Sequence, residues 1–163
     1  MPDRQRTTID IEVVTNDRAY RLAIEPRETL ADVLRTRLAL TGTKVSCDSQ
    51  VCGTCTVLMD GLPVSACTLL AVDASGRDSR TVEGLADPVT GELTALQQAF
   101  IDHGGFQCGF CTPGFLMAAT ALLAENPAPT RSEVVEALEG NLCRCTGYEG
   151  IVRAVLAAAE QTR

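Results

Sequence analysis

The stretch Phe106-Gln107-Cys108-Gly109-Phe110-Cys111-Thr112-Pro113-Gly114 decides how the second half of the chain folds. Its two cysteines are separated by only two residues, one of them glycine, as is typical of a metal-ligating loop. Thr112 followed by Pro113 predicts the start of a helix, because threonine caps helices well and proline needs no N–H at the first helical position. The cysteines would then lie at the positive end of the helix dipole, which favours the thiolate over the thiol.

A second cysteine pair, in Cys143-Arg144-Cys145-Thr146-Gly147, also comes just before a predicted helix. Two helix N-termini can therefore hold one anionic metal–sulfur centre between them. The combined spacing, C-x2-C-x31-C-x1-C, matches no zinc-finger pattern, and C-x-C is awkward for a zinc knuckle. The spacing alone predicts a four-thiolate metal site, with iron–sulfur favoured over zinc. The candidate ligands are Cys108, Cys111, Cys143 and Cys145.

The first half of the chain holds another four cysteines, spaced C-x4-C-x2-C-x11-C. This is the plant-type [2Fe–2S] ligand spacing, in which one short loop supplies three ligands and the next hairpin closes the set. A zinc ribbon is the alternative, but zinc ribbons usually use paired C-x2-C knuckles. The chain has one histidine, so a Rieske centre, which needs two, is excluded. The candidate ligands of this first set are Cys47, Cys52, Cys55 and Cys67.

Composition limits the possible functions. The 163 residues suffice for one domain or two small ones, and a net charge of −7 without a basic run argues against nucleic acid and anionic membranes. The longest apolar stretch, residues 115–124, is too short to span a bilayer, and residues 1–12 lack the apolar run of a secretory signal. We therefore expect a cytoplasmic protein with no membrane or nucleic-acid partner. Because cytosolic thiols stay reduced, eight cysteines indicate metal ligation rather than disulfides.

Two β-hairpins are predicted in the first half. Alternating apolar residues predict strands over residues 8–15 and 20–24, and again over residues 56–59 and 62–66. Pro63 lies in the last of these strands and places it at a sheet edge or a bulge, because proline cannot donate a ladder hydrogen bond.

The rest of the first half is predicted to be one helix and one linker. Thr29 and Asp32 resemble a capping box, which predicts a helix that closes at Thr41-Gly42. Residues 73–80 are polar with no apolar face, and they predict a linker or long turn.

Four short amphipathic helices are predicted in the second half, over residues 94–103, 113–125, 130–139 and 148–161. Tight connections between them favour a small bundle, and the repeated order of helix, cysteine pair and helix would bring both pairs to one end of it. Val135 is expected to face inward. Phe106, Phe110 and Phe115 flank the second cysteine set and are expected to pack in the core.

The motifs resemble those of a known family. QCGFCTPG at residues 107–114 and NLCRCTGYEGIVRAV at residues 141–155 closely resemble the small iron–sulfur subunit of the molybdenum hydroxylases, which include xanthine dehydrogenase, aldehyde oxidoreductases and carbon monoxide dehydrogenase. GTKVSCDSQVCGTCTVLMDG at residues 42–61 resembles the family's ferredoxin-like loop, and PVSACTLL at residues 63–70 carries its fourth ligand. The resemblance covers residues 9–156, with all eight cysteines matching in order.

The resemblance implies an α+β fold with one [2Fe–2S] cluster in each of two domains. A β-grasp, plant-type ferredoxin domain (residues 1–80) would precede a four-helix-bundle domain (residues 81–163). The second cluster would lie nearest the molybdenum cofactor, and the first would pass electrons outward to a flavin. The family also implies that Gln107 and the backbone around Cys145 contact the molybdopterin.

The sequence departs from the family at two positions of the first cysteine loop. Several members have glycine where this chain has Ser46 and Gln50. A side chain at these positions is expected to bulk out the loop or to change the hydrogen bonding to the first cluster, and so to affect its potential.

The implied function is that of an electron-transfer subunit in a molybdenum-containing oxidoreductase. Molybdopterin, in its cytosine dinucleotide form, would lie on a large subunit and FAD on a medium subunit, in a dimer of heterotrimers. The chain has no acid–base or nucleophile constellation, so we expect no catalytic residue on it, and an aldehyde, purine, N-heterocycle or similar small molecule would be oxidised on a partner. The surface around Gln107, Gly109 and Cys145 is expected to be uncovered. The alternative is a free-standing ferredoxin, which leaves the helical half unexplained.

Overall fold

The computed structural model describes residues 7–161. The prediction that residues 1–12 hold no secretory signal therefore lies partly outside the described residues. The fold combines one sheet with helices. Five strands form a mixed sheet in the order β2-β1-β5-β3-β4, and five helices are described. The strand bounds are β1 Ile9–Thr15, β2 Arg18–Ile24, β3 Thr56–Met59, β4 Leu62–Ser65 and β5 Asp78–Arg80.

Both predicted hairpins are confirmed. β1 pairs antiparallel with β2 across Asn16 and Asp17, whose φ angles of 51° and 63° give the left-handed turn that matches strand twist. Alternation along β1 buries Ile11 and Val13. β3 pairs antiparallel with β4, and β4 is an edge strand, as Pro63 requires.

The first helix, α1, is shorter than predicted. It begins as Leu30–Asp32 under the predicted capping box of Thr29 and Asp32, and continues as a π-helical turn over Val33–Arg37. The predicted end at Thr41-Gly42 is wrong, because Ala39 takes a left-handed φ of 57° and breaks the helix. Arg35 holds the chain beyond the break, since its Nη1 donates to the carbonyl oxygens of Thr41 (3.0 Å) and Thr43 (2.6 Å).

The predicted linker over residues 73–80 is also wrong, because its last part is the central strand β5. β5 pairs parallel with β1 and antiparallel with β3. Ser79 is buried there, and its hydroxyl bonds the Thr15 hydroxyl (2.8 Å) and the Val14 carbonyl oxygen (2.9 Å). β5 is therefore held by hydrogen bonds of a buried polar residue, and a prediction based on alternating apolar residues misses it.

The four predicted helices of the second half are present. Their bounds are α2 Ala95–Asp102, α3 Thr112–Glu125, α4 Arg131–Ala137 and α5 Glu149–Gln161. Capping boxes begin α2 (Thr94 with Gln97) and α4 (Thr130 with Glu133) as predicted. Helix α3 differs, because Cys111 is its cap residue and Thr112 already lies inside the helix.

Helices α2–α5 share one buried core, and a second core lies between the sheet and α1. Phe115 is fully buried in the helical core. The prediction of core packing is wrong for Phe106 and Phe110, which are 42% and 47% exposed, and inward-facing Val135 is likewise wrong at 46%. Within residues 7–161, no helix has the length and apolar character needed to cross a membrane.

Helix α3 joins the two halves by packing against β3 and β4. Its first turn abuts the first cysteine loop at Gly114, where an added Cβ would run into the Gly53 carbonyl oxygen. The start of α3, next to the second cysteine set, therefore packs directly against the loop of the first set.

Candidate metal centres

The first cysteine set is formed by the loop that leads into β3 and by a residue just after β4. Cys52, Cys55 and Cys67 are buried and Cys47 is partly exposed. Backbone N–H groups of Val51 and Cys52 both donate to the Cys47 sulfur, at 3.4 Å each. Such N–H···S bonds stabilise a thiolate.

The thiols of this set differ in how readily they ionise. Hydrogen bonds from Ser49 and Cys52 lower the Cys47 pKa from 9.0 to about 6. Burial raises the Cys55 pKa from 9.0 to about 11. Cys55 therefore needs a bound metal to lose its proton, and metal binding at this loop should release protons.

Gln50, one of the two departures from the family, is tied to the far end of the set. It adopts a left-handed φ of 61°, and its side-chain carbonyl oxygen accepts from the Thr68 hydroxyl at 3.2 Å. Thr68 directly follows Cys67, so the Gln50 side chain links the three-cysteine loop to the fourth candidate ligand. Ser46 is exposed.

The second set lies at the starts of α3 and α5 and is more open. Cys108 and Cys145 are exposed, with their sulfur atoms 3.6 Å apart, while Cys111 and Cys143 are half-buried. Thr146 donates to the Cys143 sulfur from its N–H (3.4 Å) and its hydroxyl (3.1 Å). The structure thus brings the two cysteine pairs together, as the repeated helix pattern predicts.

Ionisation in the second set does not follow the helix dipole alone. Burial raises the Cys111 pKa from 9.0 to about 12, so the predicted preference for thiolate at the start of α3 is wrong for this residue. Burial also opposes ionisation of Cys143, but hydrogen bonds from Thr146, Cys145 and Cys111 together outweigh it and lower its pKa. The hydrogen bond with Cys108 raises the Cys145 pKa.

The donor set fits iron–sulfur ligation. Each set offers four thiols, the ligand type of [2Fe–2S] clusters, and two sulfur atoms already receive backbone N–H bonds. The 3.6 Å between the Cys108 and Cys145 sulfurs is close to the roughly 3.8 Å that two thiolates span on a tetrahedral metal with bonds of about 2.3 Å. Among residues 7–161, no three His, Cys, Asp or Glu side chains are gathered tightly enough for a single metal ion.

Two residues that sequence reasoning missed connect the sets. The Leu142 N–H donates to the Cys52 carbonyl oxygen at 2.9 Å, and the Asn141 side-chain amide donates to the Gly53 carbonyl oxygen at 2.7 Å. No motif marks either contact, since the partners are almost ninety residues apart. The one available signal was the position of Asn141 and Leu142 in the motif NLCRC, immediately before Cys143.

The surface beside the second set is apolar and uncovered. Gln107 and Cys145 are exposed as predicted, and Gly109 is partly exposed. Phe106, Phe110 and Leu142 are each about half exposed near the same cysteines. Exposed apolar residues around a polar site are typical of a surface that another protein covers.

Family models match both halves of the chain. A 2Fe-2S iron-sulfur cluster binding domain matches residues 13–86, and a [2Fe-2S] binding domain matches residues 81–156.

Similar proteins match over almost their whole length. The chain is 56% identical to the nicotine 6-hydroxylase small subunit of Paenarthrobacter nicotinovorans, covering 96% of this chain and 92% of that subunit. It is 45% identical to the xanthine dehydrogenase iron-sulfur-binding subunit of Escherichia coli O157:H7, covering 91% and 93%. Among solved structures, quinoline 2-oxidoreductase from Pseudomonas putida 86 has a chain that superposes with a TM-score of 0.91 at 49% identity, with 96% of each chain covered.

Proposed function

The chain belongs to the iron–sulfur subunits of the molybdenum hydroxylases, and from this membership we propose how its residues carry electrons between partner subunits. It is an electron-transfer subunit with two [2Fe–2S] clusters, a component of an oxidoreductase rather than a free ferredoxin. When bound, the clusters supply one-electron chemistry, so that two electrons released at molybdopterin leave singly toward FAD. The proposal rests on one observation. The chain contains two sets of four free cysteines, one around the loop before β3 and one at the starts of α3 and α5.

We assign the ligands by set. Cys47, Cys52, Cys55 and Cys67 hold the first cluster, and Cys108, Cys111, Cys143 and Cys145 hold the second. The N–H bonds to the Cys47 and Cys143 sulfurs support this assignment, because they stabilise anionic sulfur before and after metal binding. No catalytic residue is assigned to this chain.

The two halves act as separate cluster-binding domains in this proposal. Residues 1–80 form a β-grasp ferredoxin domain, and residues 81–163 form a four-helix bundle. Two distinct buried cores support the division, although the terminal residues of both ranges lie outside residues 7–161.

The proposed electron flow runs from the second cluster to the first, and the exposure of the two sets supports it. The second set opens onto the apolar surface around Phe106 and Phe110, which suits contact with the large, molybdopterin-bearing subunit. We assign the pterin contact to Gln107 and to the backbone at Cys145, and the exposure of Gln107 beside Cys108 supports this assignment. The first set reaches the surface at the loop tip near Val51, which is 65% exposed, and this side faces the flavin.

The partners are two further subunits. A large subunit carries molybdopterin, as the cytosine dinucleotide, and a medium subunit carries FAD, in a dimer of heterotrimers located in the cytoplasm. The similar nicotine and xanthine enzymes are named as having small or iron–sulfur-binding subunits, which supports an assembly of several chains. Nicotine, xanthine and quinoline, which appear in the names of the similar proteins, all contain a nitrogen heteroaromatic ring. We therefore assign the substrate of the complex to the N-heterocycles.

The direct test is chemical analysis of the purified chain. We expect about four iron and four acid-labile sulfide per chain, since each four-cysteine set accounts for two of each. The purified complex should bleach its iron–sulfur absorbance when given an N-heterocycle and not when given a saturated ring of the same size. Zinc in place of iron, or two iron in fully loaded protein, would exclude the two-cluster function.

A further inference from the structure

The two cysteine loops meet at Asn141, a buried polar residue of the second half. Its exposed fraction is 5%, and its side-chain amide reaches across to the first half. The amide nitrogen donates to the Gly53 carbonyl oxygen at 2.7 Å and lies 3.4 Å from the Thr56 hydroxyl. The Gly53 carbonyl oxygen also accepts from the Thr56 N–H (3.1 Å) and the Thr56 hydroxyl (2.7 Å), both in the first half. The Asn141 amide is therefore the donor that ties this buried carbonyl to the second half of the chain.

Close packing leaves the Gly53 carbonyl little freedom to move. Gly53 has a φ of +62°, and a Cβ there would run into the Gly140 carbonyl oxygen and the Asn141 amide. On the other side, a Cβ at Gly114 would run into the Gly53 carbonyl oxygen. The Gly53 backbone is therefore enclosed between the start of α3 and the segment before Cys143.

The enclosed backbone is next to a direct link between the two sets. The Leu142 N–H donates to the Cys52 carbonyl oxygen at 2.9 Å. Cys52 belongs to the first set, and Leu142 immediately precedes Cys143 of the second. One hydrogen bond thus joins the two ligand-bearing segments, and the Asn141–Gly53 bond lies directly beside it.

We propose that Asn141 is a positioning residue for electron transfer, which clamps the first cysteine loop against the second and so holds the Cys52–Leu142 hydrogen bond and the spacing of the two centres. This inference rests on the proposed ligand assignment. Asn141 touches neither set of thiols, and it acts only through the backbone that carries Cys52 and Cys143. The role differs from simple stabilisation, because it sets the coupling between two centres.

The test uses the full chain with both clusters, purified in its complex. Asn141→Asp keeps the size of the side chain but places an oxygen against the Gly53 carbonyl oxygen, and Asn141→Ala removes the contact. Asn126→Asp is the control for the same chemical change, because the Asn126 side chain accepts from the Ala128 N–H and bonds Glu133 at the end of α3 that lies away from both cysteine sets. The readouts are iron content, the magnetic splitting between the two reduced clusters in electron paramagnetic resonance, and hydrogen–deuterium exchange of the peptide that contains Leu142.

We expect the Asn141 variants to keep four iron per chain, to lose part of the intercluster splitting, and to exchange the Leu142 amide faster, with Asn126→Asp unchanged. Gly114→Ala keeps Asn141 but adds a Cβ that would collide with the Gly53 carbonyl oxygen and press on the Asn141 amide nitrogen at 3.1 Å, and it should reduce the splitting in the same way. Wild-type splitting and exchange in a variant with four iron would overturn the inference, whereas fewer than four iron in the wild-type chain would overturn the ligand assignment instead. If the Asn141 variants fail to fold, hydrogen–deuterium exchange of the wild-type chain is the test. A Leu142 amide that exchanges as fast as an open loop excludes the clamp, and a protected Leu142 amide supports it.

Discussion

Cys52 illustrates how one residue serves both halves of the chain. Its thiol belongs to the first set, while its carbonyl oxygen accepts the hydrogen bond from Leu142 beside the second. We expect Cys52→Ser to disturb the resonance signal of the first cluster and to leave the second largely intact, because the substitution removes a ligand but keeps the backbone bond. Cys108→Ser should do the reverse. Loss of both signals from a folded variant would contradict two independent centres.

Gln107 gives a second prediction at the residue scale. Cys108 and Cys111 supply the thiols, so the second cluster should assemble in Gln107→Ala with normal iron content. The amide offers donors and an acceptor to the pterin, and its loss leaves those groups unpaired at a buried interface, at a cost of roughly 1–3 kcal/mol. We expect weaker association with the large subunit and slower reduction by substrate in rapid mixing.

The control for Gln107→Ala is Gln98→Ala, which removes an exposed side chain that bonds only within α2. An unchanged reduction rate in Gln107→Ala would make Gln107 a solvated loop residue.

Strand β5 is the element whose stability depends most on polar contacts. We expect Ser79→Ala to destabilise the protein by roughly 1–3 kcal/mol, because the buried Thr15 hydroxyl, at 0% exposure, and the Val14 carbonyl oxygen both lose a partner. For a chain of this size, each kcal/mol lowers the apparent melting temperature by about 2–4 °C. The double variant Thr15→Val, Ser79→Ala should recover part of the loss, since no hydroxyl is then left unpaired there. Equal melting temperatures for Ser79→Ala and wild type would exclude this role.

The elements that the sequence predicted are those with a local signal. Hairpins with left-handed Asn16 and Asp17, and helices with the Thr94 and Thr130 capping boxes, carry their boundaries in a few adjacent residues. The end of α1 at Ala39 carries no such signal, because alanine is a good helix former and the chain beyond it is held by side chains such as Arg35 and the distant Glu83. β5 was missed for the same reason, since its partner β1 is more than sixty residues away and no local pattern marks its pairing with β3.

The candidate sites show the same division between local and distant information. Cysteine spacing predicted both ligand sets, because each set follows a pattern that needs no tertiary knowledge. The pKa of Cys111 and the contacts of Asn141 depend on burial and on segments remote in the chain, and neither can be read from spacing. Exposure of Phe106 and Phe110 was mispredicted because an apolar side chain on the surface has the same local sequence pattern as one in the core.

At the scale of the whole molecule, the two sets differ in how open they are. Three of the four cysteines in the first set are buried, whereas none of the second set is. The Leu142–Cys52 hydrogen bond joins the open second set to the loop of the first set, which reaches the surface at Val51. This arrangement suits a subunit that lies between two partners, and it explains why the helical half is needed in addition to the ferredoxin-like half.

The exposed aromatic surface gives the prediction that depends on the whole assembly. Phe110 lies between Cys108 and Cys111 and is 47% exposed, and aromatic residues that become buried at an interface often contribute about 2 kcal/mol or more to binding. We expect Phe110→Ser to reduce co-purification with the large subunit sharply while the isolated chain keeps its iron. Val89→Ser is the matched control, because Val89 is 90% exposed in the loop before α2 and should leave assembly unchanged. If Phe110→Ser assembles as well as wild type, the large subunit docks elsewhere, and the proposed path from molybdopterin through the second cysteine set has no entry point.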